Sequence, residues 1–216
     1  VHEIDLEDQF RCGGSALYVE WVERLLGLAP GGPITWGGDP AFEVGVVDSP
    51  DELEHVLALR HEDGYTARMA AGYCWPWSDP EPDGKLVQDV RIGDWSRPWN
   101  LKGDRSVGGA PAAALWATDP AGFGQVGCIY TAQGFEYDHA GIIIGPDLVW
   151  RDGAWRAVRE GNRDPVLRNR TKVSDRDFDR LVRNVYKVLL TRGMRSAWIY
   201  STDPQTRNFL RSLFRR

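Results

Sequence analysis

Apolar positions along the chain switch between helical and strand spacing, and the switches mark its elements. Leu17, Tyr18, Trp21, Val22, Leu25 and Leu26 form one stripe behind a Ser15 cap, while Glu20, Glu23 and Arg24 face outward, so a helix is predicted from Ser15 to Leu28. Phe42 to Val47 reads as a short strand. Ser49-Pro50-Asp51-Glu52 opens a second helix: Ser49 caps it, Pro50 suits the first helical position, and Glu52 completes a capping box. Leu53, Val56 and Leu57 carry it to Arg60. Further strands are predicted at 65–74, Gln125 to Tyr130, His139 to Gly145 and Ser196 to Ser201, with a hairpin from Val149 to Trp155 turning at Asp152-Gly153. Ser174 caps a strong helix with the stripe Phe178, Leu181, Val182, Val185, Tyr186, Leu189 and Leu190, terminated by Gly193. Asp203-Pro204 starts a last helix with Phe209, Leu210 and Leu213 inward. Strands alternating with helices imply an α/β fold with a mainly parallel, doubly wound sheet.

One segment breaks this rhythm. Residues 76 to about 120 carry six prolines together with Trp77, Trp95, Trp99 and Trp116, and only Leu86 to Ile92 reads as a strand. Disordered segments seldom retain so many Trp, so this is expected to be an ordered insertion within a single domain.

Composition narrows the class. With 42% hydrophobic residues among 216, the chain can bury a core. No run approaches the ~20 apolar residues of a membrane span. Val1-His2-Glu3-Ile4-Asp5 is no signal peptide, and a start without Met is expected of a processed chain or an excised fragment. Cys12, Cys74 and Cys128, odd in number and far apart, suit a reducing, cytoplasmic setting. With His139 they match no metal-ligand spacing, so no metal site is expected within the chain. The net charge of −5 is unevenly spread: residues 1–150 hold 9 Lys and Arg against 24 Asp and Glu, and residues 151–216 hold 17 against 7. The basic part either tracks phosphates or pairs with acidic groups elsewhere in the fold.

Three polar clusters sit at element edges: Gln9-Phe10-Arg11 before the first helix, Thr131-Ala132-Gln133-Gly134-Phe135-Glu136 between two strands, and Thr191-Arg192-Gly193 between helix and strand. Ligands of open α/β sheets collect in loops beyond strand ends. Two Arg residues in such loops suit an anionic, phosphate-bearing ligand, because guanidinium is always charged and forks onto phosphate oxygens. Either Arg could equally serve an internal ion pair, and Glu136 a helix cap.

A longer series then bears on the question. Gln9-Phe10-Arg11-Cys12, Ala71-Gly72-Tyr73-Cys74-Trp75, Pro98-Trp99-Asn100, Cys128 to Asp138, Gly145-Pro146-Asp147-Leu148 and Tyr186 to Met194 occur in this order. The series resembles the C-terminal half of the Schlafen group 3-like DNA/RNA helicase family, which is similar to superfamily 1 helicases. The resemblance implies a second RecA-like domain, with ATP and Mg²⁺ bound between it and an N-terminal RecA-like domain. It implies that Arg11 reaches the ATP phosphates with Gln9 beside it, and that Glu136 addresses the ribose with Gln133 and Gly134 in support. Gly134 would permit close backbone approach or an unusual dihedral. Tyr130 and Thr131 would meet DNA or RNA, joined by Trp99 and Asn100 of the insertion. From the residues alone, Trp77, Trp95 or Trp99 of that insertion offers a face on which a base could stack, set against the commoner role of Trp in a core. Thr191-Arg192 would form the last motif, with Arg192 as the arginine finger that stabilises charge in phosphoryl transfer. The chain departs from a whole helicase in having no Gly-x-x-x-x-Gly-Lys-Ser/Thr loop and no Asp-Glu pair after an apolar strand. Phosphate cradle and metal ligands (Walker A and B) are therefore expected from the other domain, and ATP hydrolysis is not expected of this chain alone. The rival expectation is a non-catalytic nucleic-acid or protein-binding module with a RecA-like shape.

Overall fold

The structure, a computed structural model, describes residues 11–214. Its elements are α1 (Ala16–Leu25), β1 (Glu43–Val46), α2 (Pro50–Glu62), β2 (Ala67–Ala71), β3 (Val90–Ile92), β4 (Trp95–Arg97), β5 (Val126–Gly127), α3 (Ile129–Ala132), β6 (Tyr137–Ile144), β7 (Leu148–Arg151), β8 (Ala154–Ala157), α4 (Asp175–Leu190), β9 (Gly193–Ser201) and α5 (Pro204–Ser212). Helix starts follow local chemistry: Ser15, Ser49, Ser174 and Asp203 each accept a backbone N–H three residues on.

β1, β9, β6, β2 and β5 form one sheet in that order, and all its pairings are parallel. Helices α1, α4 and α5 cover one face, which contributes Ala140, Ile142, Ile144, Ala197 and Ile199 to a common core. Helix α2 and much of the insertion cover the other, against Met69, Ala71, Ile143 and Tyr200, while Trp116 and Ala117 at the end of the insertion join the first core. This is a three-layer α/β domain of RecA-like type. Central strands buried on both faces explain why Gly141 to Ile144 is continuously apolar. Gly141 lets α2 seat closely, since a Cβ there would stand 2.5 Å from Leu57 Cδ1.

Three local expectations change. The strand predicted over Gln125 to Tyr130 shrinks to Val126–Gly127, and the chain then turns into α3, with the Thr131 and Ala132 N–H groups on Cys128 O. Alternation of Val126, Cys128 and Tyr130 fits a strand, but β5 lies at the end of the sheet, where β2 pairs with two of its residues and only a single bridge from Trp99 meets its other side. Leu86 to Ile92 contributes only β3, which pairs antiparallel with β4. Gly193 does not terminate α4; Thr191 occupies the cap position, and Gly193 begins β9. The register there explains the glycine. Tyr137 pairs with Gly193 but His139 with Ser196, so β9 carries one extra residue, and a Cβ on Gly193 would meet Ser196 O at 2.2 Å.

The insertion is ordered and docked. Trp95, Trp99 and Trp116 are buried. Arg68 of β2, also buried, donates to Trp116 O, Ala67 O and Asp119 O at 2.6–2.7 Å, tying the end of the insertion to the sheet. Burial lowers its pKa to about 10. The basic stretch pairs widely: Arg151 with Asp203, Arg159 with Asp175, Arg170 with Glu160, Arg183 with Asp179, Lys187 with Glu23 and Arg195 with Asp138. Among the described residues no helix is long and apolar enough to cross a membrane.

His139 and Ser196 face each other across β6 and β9, with Nδ1 2.8 Å from the Ser196 hydroxyl. Burial, helped by the nearby Arg60 charge, lowers the His139 pKa from 6.5 to about 4. The unfolded chain therefore takes up this proton first, and stability that is complete above pH ~6.5 is lost as pH falls through 6.5 toward about 4. In urea unfolding at pH 7 and pH 4, His139→Gln is expected to lose up to about 3 kcal/mol less than wild type. Equal losses would refute this assignment.

Candidate functional site

The order of the sheet assembles the site. β6 and β9 are adjacent and parallel, so the segments that precede them, 131–136 and 191–192, arrive together at the amino ends of the two strands. A second contact closes them. Arg192, 4% exposed, donates from Nε to Val188 O at 3.0 Å and from Nη1 to Gln133 O at 3.2 Å. In return Arg192 O accepts the Tyr137 N–H at 3.2 Å. Thr191 is buried, and its hydroxyl donates back to Lys187 O at 2.9 Å, closing the last turn of α4. Tyr137 is fully enclosed beside Arg192; burial raises its pKa, while the charges of Arg192 and Arg68 oppose the rise.

The turn Arg11–Gly14 rests on the start of β9, so closely that a Cβ on Gly13 would meet Met194 O at 2.5 Å. Gln9 lies outside the described residues, as does the side chain of Arg11. The 131–136 and 191–192 segments and the Arg11–Gly14 turn meet at the amino ends of β6 and β9, opposite the carboxyl ends where open α/β sheets commonly bind ligands.

Gln133, Gly134 and Glu136 are exposed along this margin. Gly134 has no positive φ, and a Cβ there would meet nothing closer than Thr131 O at 3.9 Å, so an unusual dihedral is not its role. The segment runs from the carboxyl end of β5 to the amino end of β6. Tyr130, Thr131, Gln133, Gly134 and Phe135 form one wall of a groove of about 380 Å³, and Trp77 and Lys102 of the insertion stand opposite. Tyr130 is 51% exposed yet anchored, its hydroxyl donating to Asp164 Oδ2 at 2.6 Å. Desolvation and the Asp164 carboxylate both raise its pKa.

Trp99 and Asn100, expected on nucleic acid, are enclosed instead. Trp99 donates to Pro76 O at 2.6 Å and packs against Tyr73, Trp75 and Trp77. Asn100 pairs by its backbone N–H with Val126 O, and its carbonyl receives the Trp77 indole N–H at 3.0 Å. Both residues position Trp77, which is half-buried and reaches the groove.

The sequence reading missed Asp164, Lys102 and a buried network at the carboxyl ends. Tyr186 of α4 donates to Asp147 Oδ1 at 2.5 Å and accepts the Gly145 N–H at 2.8 Å. Asn162 donates to Asp147 Oδ2, and its own carbonyl accepts the Asp164 N–H, each at 2.8 Å. This chain of bonds ends at Tyr130. Burial raises the Asp147 pKa, opposed by the hydrogen bonds of Tyr186 and Asn162. Gly72 is obligatory here, since a Cβ would collide with the Tyr186 hydroxyl. The only sequence signal was indirect: Gly72, Gly145-Pro146-Asp147 and Tyr186 all fall in segments that carry the family resemblance.

Fold and polar margin together define a RecA-like α/β domain. Comparison with known proteins specifies it further: the model of the Schlafen group 3, DNA/RNA helicase domain matches residues 1–203. The chain belongs to that family, which carries a helicase-like, nucleic-acid-related role. It is also similar to uncharacterized protein YPL245W of Saccharomyces cerevisiae, with 29% identity over 95% of this chain and 47% of the yeast protein. The chain thus spans about half the length of that relative. No solved structure matches it.

Tyr186→Phe strands two buried groups, Asp147 Oδ1 and the Gly145 N–H. It is expected to lower the free energy of unfolding by about 1–3 kcal/mol. A loss below about 0.5 kcal/mol, the range of ordinary surface changes, would show that the hydroxyl is dispensable.

Proposed function

We propose that this chain is the second RecA-like lobe of an ATP-dependent DNA/RNA helicase or translocase. The observation that carries the reading is the convergence of the 131–136 and 191–192 segments, with the Arg11 turn, on one edge of the sheet. The partner it requires is an N-terminal RecA-like domain bearing the phosphate loop and the Mg²⁺ ligands, which this sequence lacks. The polar groups present suit half of a nucleotide site: exposed Gln133 and Glu136 for a ribose, the carboxylate accepting from its hydroxyls, and Arg192, with Arg11 at the same edge, for phosphate charge. When bound, ATP supplies the phosphoryl group whose transfer drives movement. Arg192 supplies a fixed cation on that side, already oriented by the carbonyls of Val188 and Gln133. Tyr130 and Thr131, on the groove wall, would follow the nucleic-acid strand, with Gly134 leaving room for its backbone. The buried cysteines Cys12, Cys74 and Cys128 suit the reducing cytoplasm.

The enclosure of Arg192 favours one rival, in which the residue is a clamp in a non-catalytic nucleic-acid or protein-binding module. The two are separated in the full-length protein by Arg192→Lys, which keeps a donor for the clamp but not the planar fork. ATP turnover is expected to fall about 10³-fold, with ATP affinity and melting temperature close to wild type. Wild-type turnover in a folded Arg192→Lys protein would overturn the motor reading. Absence of any ATPase activity in the full-length wild type would leave the module.

A further inference from the structure

The Trp-rich insertion encloses a cavity of its own beside the groove. About 520 Å³ in volume, within the range of small-molecule sites, it is walled by Trp77, Trp99, Leu86, Val87, Leu101 and Val107. Its position is informative, because Trp77 and Lys102 line both this cavity and the groove beside Tyr130. The cavity and the groove therefore share a wall.

Two residues, Asn100 and Lys102, fix Trp77 in place. Its indole N–H donates to Asn100 O at 3.0 Å, the Lys102 ammonium donates to its backbone carbonyl at 2.5 Å, and the same ammonium lies 5.5 Å from the ring centroid. A large aromatic face fixed in advance loses little entropy when a flat ring stacks on it. The polar groups limit what that ring can be. Asp79, Asp89 and Asp104 line the cavity alongside Lys102 and Arg105, so the interior offers no net positive charge for a phosphate. The wholly buried Asn100 belongs to the same wall; its Nδ2 is committed to Leu101 O, and its Oδ1 has no donor among the described residues. A neutral, planar, N–H-bearing ring meets all three conditions, and the attached phosphates would remain outside at Lys102.

We propose that the insertion cavity takes one unstacked base of a single-stranded nucleic acid lying in the Tyr130 groove, with Trp77 as its stacking face. This rests on the nucleic-acid part of the functional reading and deepens it. A base that leaves the stack and enters a pocket gives the lobe a grip on the strand independent of phosphate contacts and tolerant of sequence.

The test measures binding of the full chain to a fluorescent mixed-sequence single strand and to a strand of equal length carrying internal abasic sites. The mixed strand is expected to bind about tenfold tighter or more. Trp77→Ala should abolish that difference, and Trp77→Phe should restore most of it. Near-ultraviolet circular dichroism checks that each variant folds, and Lys102→Ala, which leaves the aromatic walls intact, should weaken both strands alike. Equal affinity of wild type for the two strands, or a folded Trp77→Ala that keeps the preference, would overturn the base pocket while the nucleic-acid role stands. Failure to bind either strand would remove that role from this lobe and the pocket with it. Displacement of the strand by free adenosine at equal concentration would identify a mononucleotide site in place of the strand pocket, and displacement by a proline-rich peptide would identify a peptide groove.

Discussion

The guanidinium of Arg192 sits where α4 ends and β9 begins, and its hold on Gln133 O, together with the Tyr137 N–H on Arg192 O, joins two loops far apart in the chain. The parallel pairing of β6 with β9 brings the loops to one edge; Arg192 then sets their separation. An enclosed guanidinium needs acceptors in several directions, and Val188 O and Gln133 O supply them at the cost of a defined loop path. The polar margin is therefore a consequence of satisfying one buried cation.

The opposite end of the sheet is organised by the same rule applied to an anion. Asp147 is enclosed and must be fully hydrogen-bonded, which recruits Tyr186 from α4 and Asn162 from the loop after β8. Because Asn162 also holds Asp164, and Asp164 holds Tyr130, the position of an exposed ring is traceable to a carboxylate in the core. Arg68 does the equivalent for the insertion, gathering the carbonyls of Trp116 and Asp119 onto β2. Buried polar groups, more than the apolar core they interrupt, determine where the surface features of this lobe lie.

The two ends also suggest why the insertion is so rich in Trp. An ordered segment with little regular structure has few ladder hydrogen bonds to stabilise it, and large aromatic areas with indole donors compensate. Trp99 and Trp77 each use the indole N–H on a carbonyl of the same segment, which fixes the rings and leaves the half-buried one beside the groove. Stability of the insertion and presentation of an aromatic face are then one arrangement.

Spacing and caps along the chain were enough to place α1, α2, α4, α5, β6, the β7–β8 hairpin and the parallel α/β class, because periodicity, Ser and Asp caps and an Asp-Gly turn act over a few residues. The ordered segments that carry the family resemblance were equally legible, including 131–136 and 191–192. Local pattern does not encode how far an edge strand can extend, so β5 was overestimated and α3 unseen. Nor does it encode burial: Trp99 and Trp77 are indistinguishable as letters, and only packing encloses one and leaves the other at a groove. Strand order, the edge on which the clusters meet, the enclosure of Arg192 and the bond from Asp164 to Tyr130 all join residues far apart in the chain. They were decided by tertiary structure, since each depends on which polar groups lose water together when the layers close.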